Sequence, residues 1–419
     1  MQTDDPIPVI LEAASIPVIP EDPDLNEVLL CGSQEPSTST VTLPDESQDS
    51  AEADLSEIVD EDPDKKYVLK WKYYSYKSGK DVHEVKPQVV DCFGVYKDSQ
   101  SSRSHVVRSE KAVIPALNHL KIAMVKMSKQ MDWSEMFDPE IDYESKIPAR
   151  MSIFEVLMHH VPSGDLSEIT SKCQIFCKTG VLQGIGERLY WKRELKLNAC
   201  FINGVVFILI DMDFAMSDIK TRTDDTPNLN KSSYLGRQFP NEITQAAQLP
   251  AADGKFMEFR TVVQTKFPSY TVMTSGEIDA IDEEGQLIEI KCFKGGMDDR
   301  FWTERSCKLF LQVFFSGSRQ CLQGKTSRDH VIDIEEIDVE RIPERAAKLK
   351  KFRWYKDDVI RFIDEFLESV YQKLEKTPKV VFDVTKDEGY SRLFMEKSTV
   401  SVHDFFPIEF LMHFHIDLH

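Results

Sequence analysis

The stretch GEIDAIDEEGQLIEIKC, residues 276–292, limits the folds open to this chain more than any other. Apolar residues recur at every second position on both sides of the DEEG segment, a pattern typical of two strands joined by a tight turn. Glu277 and Asp279 then share one face of the first strand, and Glu289 and Lys291 share one face of the second. The sequence therefore predicts a hairpin within a sheet, with three acids and a lysine gathered on one side.

Three neighbouring carboxylates repel one another, and each loses free energy when it is removed from water. Lys291 can relieve only part of that repulsion, and a divalent cation is the natural further compensation. Carboxylate oxygens suit Mg²⁺ or Mn²⁺, and a lysine beside the metal can act on a scissile phosphate or on the attacking water. An exposed hairpin with alternating charges is the structural alternative, and the pattern alone leaves it open. An acid followed by E-x-K is also the arrangement found in nucleases of the PD-(D/E)XK type.

The negative charge of the chain is concentrated at its N-terminal end. The 419 residues carry a formal charge of −20, and residues 1–64 contain eighteen Asp and Glu but neither Lys nor Arg. Residues 65–419 therefore carry only about −2, so the overall charge does not exclude nucleic acid as a ligand of the folded part. Residues 1–64 also lack aromatic residues, and we predict a disordered acidic tail there, followed by a single domain over residues 65–419.

Other features exclude whole classes of protein. The N-terminal sequence MQTDDPIPV has neither the basic region nor the apolar stretch of a secretory signal. No run of the sequence reaches the ~18 apolar residues of a membrane span. The eight cysteines are scattered and lack the spacing of a zinc site. These features predict a protein of a reducing compartment, the nucleus or the cytoplasm, with no membrane partner.

The hydrophobic patterns indicate a mixed fold. Residues 199–216 predict two buried strands around Asn203-Gly204, and residues 300–317 predict a buried helix that ends at Gly317. Residues 331–342 resemble a strand, and residues 357–376 have the apolar spacing of an amphipathic helix. These patterns predict an α/β fold (mixed α+β) in which central mixed β-sheets are flanked by helices. The E-x-K arrangement, by its resemblance to those nucleases, implies a PD-(D/E)XK-like nuclease core.

Two further segments have both a functional and a structural interpretation. Residues 348–358, KLKKFRWYKDD, interleave five cations with three aromatic residues. They could bind an RNA backbone and stack a base, or form a basic surface loop. His159 and His160 in VLMHHV are predicted to be helix residues rather than metal ligands.

Several islands of sequence, in order along the chain, resemble the DXO family of RNA decapping exonucleases. Members carry E-Φ-D followed by E-Φ-K, where Φ is apolar, and the segments EID at 277–279 and EIK at 289–291 match both. Gln312 in KLFLQVFFSG matches the family's helical glutamine. The segments DCFGVYKDSQ at 91–100 and VSVHDFFPIEFLMHF at 400–414 are similar to the family's early and terminal segments.

The resemblance implies a set of roles and partners. Asp279, Glu289 and the main-chain carbonyl of Ile290 would bind Mg²⁺ or Mn²⁺, with two ions in the site, and Glu277 would orient water. Lys291 and Gln312 would contact the scissile phosphate. The implied activities are removal of incomplete caps, triphosphate and NAD ends from RNA 5′ termini, and 5′-to-3′ degradation, in RNA quality control. The resemblance also implies a 5′-3′ exoribonuclease as a partner.

The chain departs from the family pattern at two positions. The family's further metal-binding glutamate falls at Pro240 in YLGRQFPNEI, and Glu242, two residues later, is the substitute ligand that we predict. The family's arginine before a glycine falls at Thr179, and Lys178 is the nearest cation for substrate. A lysine does not reproduce the bidentate grip of arginine on phosphate.

The departures leave two alternatives to an active hydrolase. One is a family member with weakened catalysis that binds RNA ends or a protein partner as a regulator. The other is a scaffold protein whose function resides in its acidic tail.

Overall fold

A computed structural model describes most of the chain from residue 67 to residue 418. The described residues are 67–70, 81–97, 104–108, 114–128, 131–132, 152–191, 194–211, 214, 227–245, 255–327, 330–350, 352–386 and 392–418. All of them lie within one compact unit, Ala53–His419. Residues 1–64 lie outside the described residues, so the division into an acidic tail and a single following domain stays a prediction.

The described residues form fifteen strands and eleven helices, named here in chain order. The strands are β1 Tyr67–Lys70, β2 Pro87–Lys97, β3 Ser104–Arg108, β4 Met131–Asp132, β5 Ile175–Lys178, β6 Leu195–Ile202, β7 Val205–Ile210, β8 Lys255–Lys266, β9 Thr271–Glu277, β10 Ala280–Ile281, β11 Leu287–Lys294, β12 Gln320–Ser327, β13 His330–Asp338, β14 Val381–Lys386 and β15 Arg392–Lys397. The helices are α1 His119–Ser128, α2 Ile153–His160, α3 Ser167–Thr170, α4 Thr179–Glu187, α5 Pro227–Ile243, α6 Asp299–Glu304, α7 Ser306–Phe315, α8 Arg341–Ala346, α9 Lys356–Glu375, α10 Val402–Phe405 and α11 Ile408–His413.

The strands form two mixed sheets. The larger has ten strands in the order β1-β15-β14-β6-β7-β5-β9-β8-β2-β3, with β5 parallel to both β7 and β9. The smaller has five strands in the order β10-β11-β12-β13-β4, with β11 parallel to β12. The predicted class, mixed sheets flanked by helices, is therefore confirmed.

Two apolar cores cover the two faces of the larger sheet. On one face α4, α7 and α9 pack together, and the buried side chains of α9 recur at helical spacing. On the other face α2, α10 and α11 contribute a cluster of aromatic rings, in which Phe154, Phe207 and Phe410 lie with ring centroids 4.9 to 5.5 Å apart. The helix predicted over residues 357–376 is confirmed, as Lys356–Glu375.

The hairpin predicted around Asn203-Gly204 is also confirmed, as strands β6 and β7. Both turn residues have positive φ, 49° at Asn203 and 84° at Gly204, and two such residues suit the twist of a two-residue hairpin. Asparagine and glycine adopt this conformation more readily than other residues do. The local sequence therefore decides this turn.

The single helix predicted over residues 300–317 is instead two helices, α6 and α7, which meet at Arg305. The Ser306 hydroxyl donates to the Trp302 carbonyl at 2.7 Å and accepts from the Trp354 indole at 2.9 Å. A serine side chain that takes a backbone carbonyl competes with the helical hydrogen bond there, which accounts for the break.

The hairpin predicted over residues 276–292 differs from the structure in its first strand. Glu277 ends β9 in the larger sheet, whereas β10 in the smaller sheet begins only at Ala280. The chain thus crosses from one sheet to the other between these residues, although a short antiparallel pair, β10 with β11, does follow. The prediction of one continuous first strand was wrong, because alternation along a chain does not reveal which sheet each part joins.

Several sequence features lie partly outside the described residues. Of the family-like segment 91–100 the structure describes residues 91–97, and of the segment 199–216 it describes residues 199–211 and 214. Among the described helices, none combines the length and apolar character that a membrane crossing requires.

The packing of α4 against α7 and α9 generates a stability prediction. A Cβ atom on Gly186 would lie 2.7 Å from Leu311 Cδ1 and 2.9 Å from Val359 Cγ1, so both side chains would have to move within a packed core. We expect Gly186→Ala to lower the free energy of unfolding by about 1–3 kcal/mol, measured by urea unfolding followed by circular dichroism.

The matched control is Gly180→Ala in the same helix, where the nearest atom to a new Cβ lies 3.8 Å away. We expect this variant to be as stable as the parent protein or slightly more stable, because alanine favours helix over glycine. Equal stability of the two variants would contradict this account of the packing.

Candidate active site

Three parts of the fold converge where the chain crosses between the two sheets. Strand β9 ends in Glu277, the crossing segment contains Asp279, and β11 carries Glu289 and Lys291 on one face. Helix α7 packs over that face and presents Gln312 to it. The structure thus brings together Asp279, Glu289, Lys291 and Gln312, as the sequence predicted. Asp279 and Glu289 meet at a junction between two sheets, however, and not on the two strands of a single hairpin.

Glu289 lies at the centre of this group and is only 2 % exposed. Its Oε1 atom accepts a hydrogen bond of 2.5 Å from Gln312 Nε2 and also contacts the Lys291 ammonium. Two donors therefore converge on a single carboxylate oxygen. Both bonds are charge-assisted, which makes them stronger than bonds between neutral groups.

Asp279 lies near the same lysine. Its Oδ2 atom accepts a hydrogen bond of 2.7 Å from the backbone N–H of Ile290 and lies 3.8 Å from Lys291 Nζ. The N–H and C=O groups of one residue in an extended strand point to the same edge. The carbonyl of Ile290 therefore points toward the edge of β11 at which Asp279 lies. A shared role of this carbonyl and the Asp279 carboxylate in metal binding would require that orientation.

Glu277 stands in a row of polar residues that crosses three strands of the larger sheet. It is paired in register with Arg260 of β8, and the nearby Ser275 is paired with Lys178 of β5. Side chains of directly paired residues share a face, so Lys178 and Arg260 flank the end of β9 from its two sides. Arg260 is 2 % exposed and donates a hydrogen bond of 3.4 Å from Nη1 to Ser275 Oγ.

Arg260 and Ser275 were not among the site residues that the sequence predicted. A weak signal was present, since Arg260 is the one cation in the strand segment EFRTVV, in which half of the residues are apolar. Its position beside Glu277 depends on the pairing of β8 with β9, which the local pattern does not determine.

The electrostatics of the group follow from its burial. Burial raises the pKa of the Glu289 carboxyl, the negative charges of Asp279 and Glu277 raise it further, and Lys291 opposes them. Burial alone would lower the pKa of Lys291, but the charges of Glu289 and Asp279 outweigh it, so the pKa of the ammonium is raised. Burial also raises the pKa of the Cys321 thiol beside them, which keeps that thiol neutral.

The two positions that depart from the family pattern, Pro240 and Thr179, have contacts of their own. Pro240 is inside helix α5, and Glu242 forms an ion pair of 3.2 Å with Lys121 of α1. Thr179 is buried at the first turn of α4, and a Cβ atom on Gly276 would lie 2.9 Å from its Oγ1 atom. The role of Glu242 as a metal ligand stays a prediction.

The oxygen donors of the group suit a hard divalent cation. Asp279, Glu289 and the Ile290 carbonyl supply oxygens, which Mg²⁺, Mn²⁺ and Ca²⁺ all accept. Within the part of the chain that the structure describes, no three histidine, cysteine or acidic side chains are close enough to hold a metal ion as they stand. Lys291 contacts both the Asp279 and the Glu289 carboxylates. A cation bound by these two carboxylates would compete with the lysine for their oxygens.

The other sequence candidates have mainly structural contacts. His160 belongs to α2 and its Nδ1 atom lies 2.8 Å from Asp91 Oδ2, so its place in a helix is confirmed. In the basic segment Trp354 is buried and donates to Ser306, whereas Phe352 is 66 % exposed. Lys356 pairs with Glu340 at 2.7 Å.

Comparison with known proteins identifies the family to which the chain belongs. The family model described as RAI1 like PD-(D/E)XK nuclease matches residues 89–411, well over half of the chain. The chain belongs to the RAI1-like PD-(D/E)XK nuclease family. The matched residues include every site residue discussed above, and the predicted resemblance to the DXO family is confirmed.

Individual relatives of this RAI1-like nuclease are distant in sequence. Decapping nuclease dom-3 of Caenorhabditis elegans is 24 % identical over 302 residues, 67 % of this chain and 74 % of that protein. The crystal structure of Scheffersomyces stipitis Rai1 is 14 % identical with a TM-score of 0.62, over 83 % of this chain and 97 % of that chain. Candida albicans Rai1, solved in complex with pU5-Mn²⁺, is 12 % identical with a TM-score of 0.62, over 83 % of this chain and 99 % of that one.

The buried contact between Glu289 and Lys291 generates a stability prediction for this RAI1-like nuclease. Lys291→Met leaves a carboxylate that is 2 % exposed without its cation. Breaking a buried pair from one side is strongly destabilising, and because Lys291 is 29 % exposed we expect a loss of about 2–3 kcal/mol. Urea unfolding at pH 8 measures the change.

Lys196→Met is the matched control, since the pair of Lys196 with Glu194 is 42 % exposed on both sides. We expect that control to lose less than about 1 kcal/mol. The double variant Glu289→Gln, Lys291→Met should regain much of the lost stability, because it removes the charge along with its partner. A single variant as stable as the control would refute the electrostatic account.

Proposed function

We propose that this RAI1-like nuclease is a divalent-metal-dependent hydrolase of RNA 5′ ends, of the decapping and 5′-3′ exonuclease type. Membership of the family supports a nuclease. Two relatives support the substrate class, since one is named a decapping nuclease and another was solved with pU5-Mn²⁺. The observation that carries the proposal is the convergence of Asp279, Glu289, Lys291 and Gln312 at the junction of the two sheets.

The proposed cofactor is Mg²⁺ or Mn²⁺, with two ions in the site. Relatives solved with manganese and with calcium support a divalent ion. Asp279, Glu289 and the Ile290 carbonyl would hold it, and Glu277 and Glu242 are the further ligands proposed from the resemblance. When bound, such an ion polarises a phosphoryl oxygen and makes water a stronger nucleophile at neutral pH.

The residues of the chain itself would position substrate and water around that centre. Lys291 and Gln312, both donors on the same Glu289 oxygen in this structure, would turn their N–H groups to the scissile phosphate. Glu277 would orient the attacking water, and the buried Arg260 opposite it would hold its carboxylate in place. Lys178, on the same face of the sheet as Ser275 and Glu277, would bind a substrate phosphate.

The resemblance also supports two wider proposals. One is a complex with a 5′-3′ exoribonuclease, and the other is a place in RNA quality control in the nucleus or cytoplasm. Neither follows from the geometry of the site.

A second candidate function is that of a weakened family member that binds RNA ends or a protein partner as a regulator. The ion pair of Glu242 with Lys121 favours it, because that carboxylate is engaged away from Asp279 and Glu289. So does Thr179, an uncharged residue where the family resemblance implies an arginine.

The experiment that decides between them uses the full chain, Mn²⁺ and RNA that carries a 5′-monophosphate, a 5′-triphosphate or an incomplete cap. We expect release of the 5′ end or of mononucleotides, and a fall of at least about a hundredfold in rate for Asp279→Asn and for Glu289→Gln.

Glu336→Gln is the matched control, an exposed acid on β13 that pairs with Lys126 at 2.8 Å. Its rate should equal that of the parent protein. If the chain binds these RNAs but cleaves none of them with Mn²⁺ or Mg²⁺, the result supports a regulator and refutes the proposed hydrolase.

A further inference from the structure

Gln323 is a buried amide beside the candidate site with no assigned role. It lies on β12, is 0 % exposed, and neither its Oε1 nor its Nε2 atom has a hydrogen-bond partner. A buried polar group left without a partner destabilises the fold, because it loses its hydrogen bonds with water and gains none in return. Most such groups in folded proteins are satisfied, so the partners available to this amide are sought among the groups that its strand register places beside it.

The register of the smaller sheet identifies the neighbours of Gln323. Lys291 of β11 is its direct partner on one side, and Glu335 of β13 is its direct partner on the other. The three side chains therefore form one row across three strands, on the face that also carries Glu289. Neighbouring strands lie about 5 Å apart, so the amide stands between an ammonium and a carboxylate.

An amide is the neutral side chain suited to such a position. An amide oxygen can accept a hydrogen bond from an ammonium, and an NH₂ group can donate to a carboxylate. A leucine or methionine would fill the same space without an unsatisfied group. The polarity of Gln323 is therefore explained by its place in the row and not by the packing of the core.

The site needs a second acceptor for Lys291. In this structure the ammonium contacts Glu289 and lies 3.8 Å from Asp279, the two carboxylates proposed to hold the cation. A cation bound there must displace the ammonium from at least one of them. A partly buried ammonium that loses its acceptor is destabilised unless another oxygen replaces it.

We infer that Gln323 is a positioning residue for Lys291, whose ammonium it accepts at Oε1 when Glu289 turns to a divalent cation. Glu335 would orient the amide by accepting from Nε2. The amide thereby keeps the lysine beside the substrate phosphate and off the metal ligand. This role rests on the proposed function, since it concerns the same lysine and the same cation.

The test compares Mn²⁺ affinity, measured by titration calorimetry without RNA, between the parent protein and Gln323→Met. Without the amide, Lys291 stays on Glu289 and competes with the cation. We expect an affinity about tenfold weaker, in line with the loss of one hydrogen bond to a charged group. At saturating Mn²⁺, kcat on 5′-monophosphate RNA should fall by about tenfold while KM changes little.

Thr265→Val is the matched control. Thr265 is also 0 % exposed with an unpartnered hydroxyl, on β8 of the larger sheet. Both substitutions remove an unsatisfied buried polar group, so both variants should be at least as stable as the parent protein. Only Gln323→Met should change the Mn²⁺ affinity and kcat.

If Gln323→Met does not fold, Glu335→Gln replaces it as the test, at a strand position that is only partly buried. Without the carboxylate the amide loses its preferred orientation, and we expect Mn²⁺ to bind about threefold more weakly. Unchanged Mn²⁺ affinity in the variant that is tested overturns the inference, and it is the result expected of an amide satisfied only by trapped water.

The failure of the inference and that of the proposed function are distinguishable. A parent protein that binds Mn²⁺ but cleaves no RNA refutes the hydrolase, while the calorimetric comparison still decides the role of Gln323. A parent protein that cleaves RNA with a Gln323→Met variant of equal affinity and kcat refutes the inference alone. A parent protein that binds no Mn²⁺ overturns both.

Discussion

The buried contact of Glu289 with Lys291, completed by Gln312, is the interaction on which the rest of the site depends. A carboxylate that is 2 % exposed is strongly destabilised unless cations and hydrogen-bond donors surround it. Lys291 comes from the same strand, but Gln312 comes from α7, so the carboxylate is satisfied only when that helix is docked. The charge in the small sheet and the packing of the helix therefore depend on each other.

The position of α7 is in turn set by contacts far from any charge. At its start the Ser306 hydroxyl is bound by the Trp354 indole, and at its end the Ser316 carbonyl accepts from Thr261 Oγ1 of β8 at 3.1 Å. Because Gly186 has no side chain, helix α4 packs closely against Leu311 of α7. The apolar core of the larger sheet thus holds the helix that completes a group of residues in the smaller sheet. Rigid elements are a better support for such a group than loops are.

The sequence predicts part of this arrangement, and the limit is physical. Period-two alternation places Glu289 and Lys291 on one face, because that relation is local to a strand. It does not show that Glu277 and Asp279 belong to different parts of the junction, since a change of sheet leaves the alternation intact. The sequence pattern does not identify Arg260 and Gln323 as site residues, for a related reason. Their importance comes from the pairing of β8 with β9 and of β11 with β12, and the register of paired strands depends on contacts distant in sequence.

The departures from the family pattern that the sequence predicts would change the balance of charge around Glu289. The resemblance implies a third acidic ligand, but Glu242 forms its ion pair with Lys121, so the negative charges that act on Glu289 are those of Asp279 and Glu277. Fewer carboxylates attract a divalent cation less strongly, whereas the attraction between Glu289 and Lys291 is unchanged. Under the proposed function, occupancy by a cation would depend on how readily Lys291 leaves Glu289. The free energy of that exchange depends on the acceptor that the ammonium finds next, and the buried amide of Gln323, paired directly with Lys291, is in register to supply it.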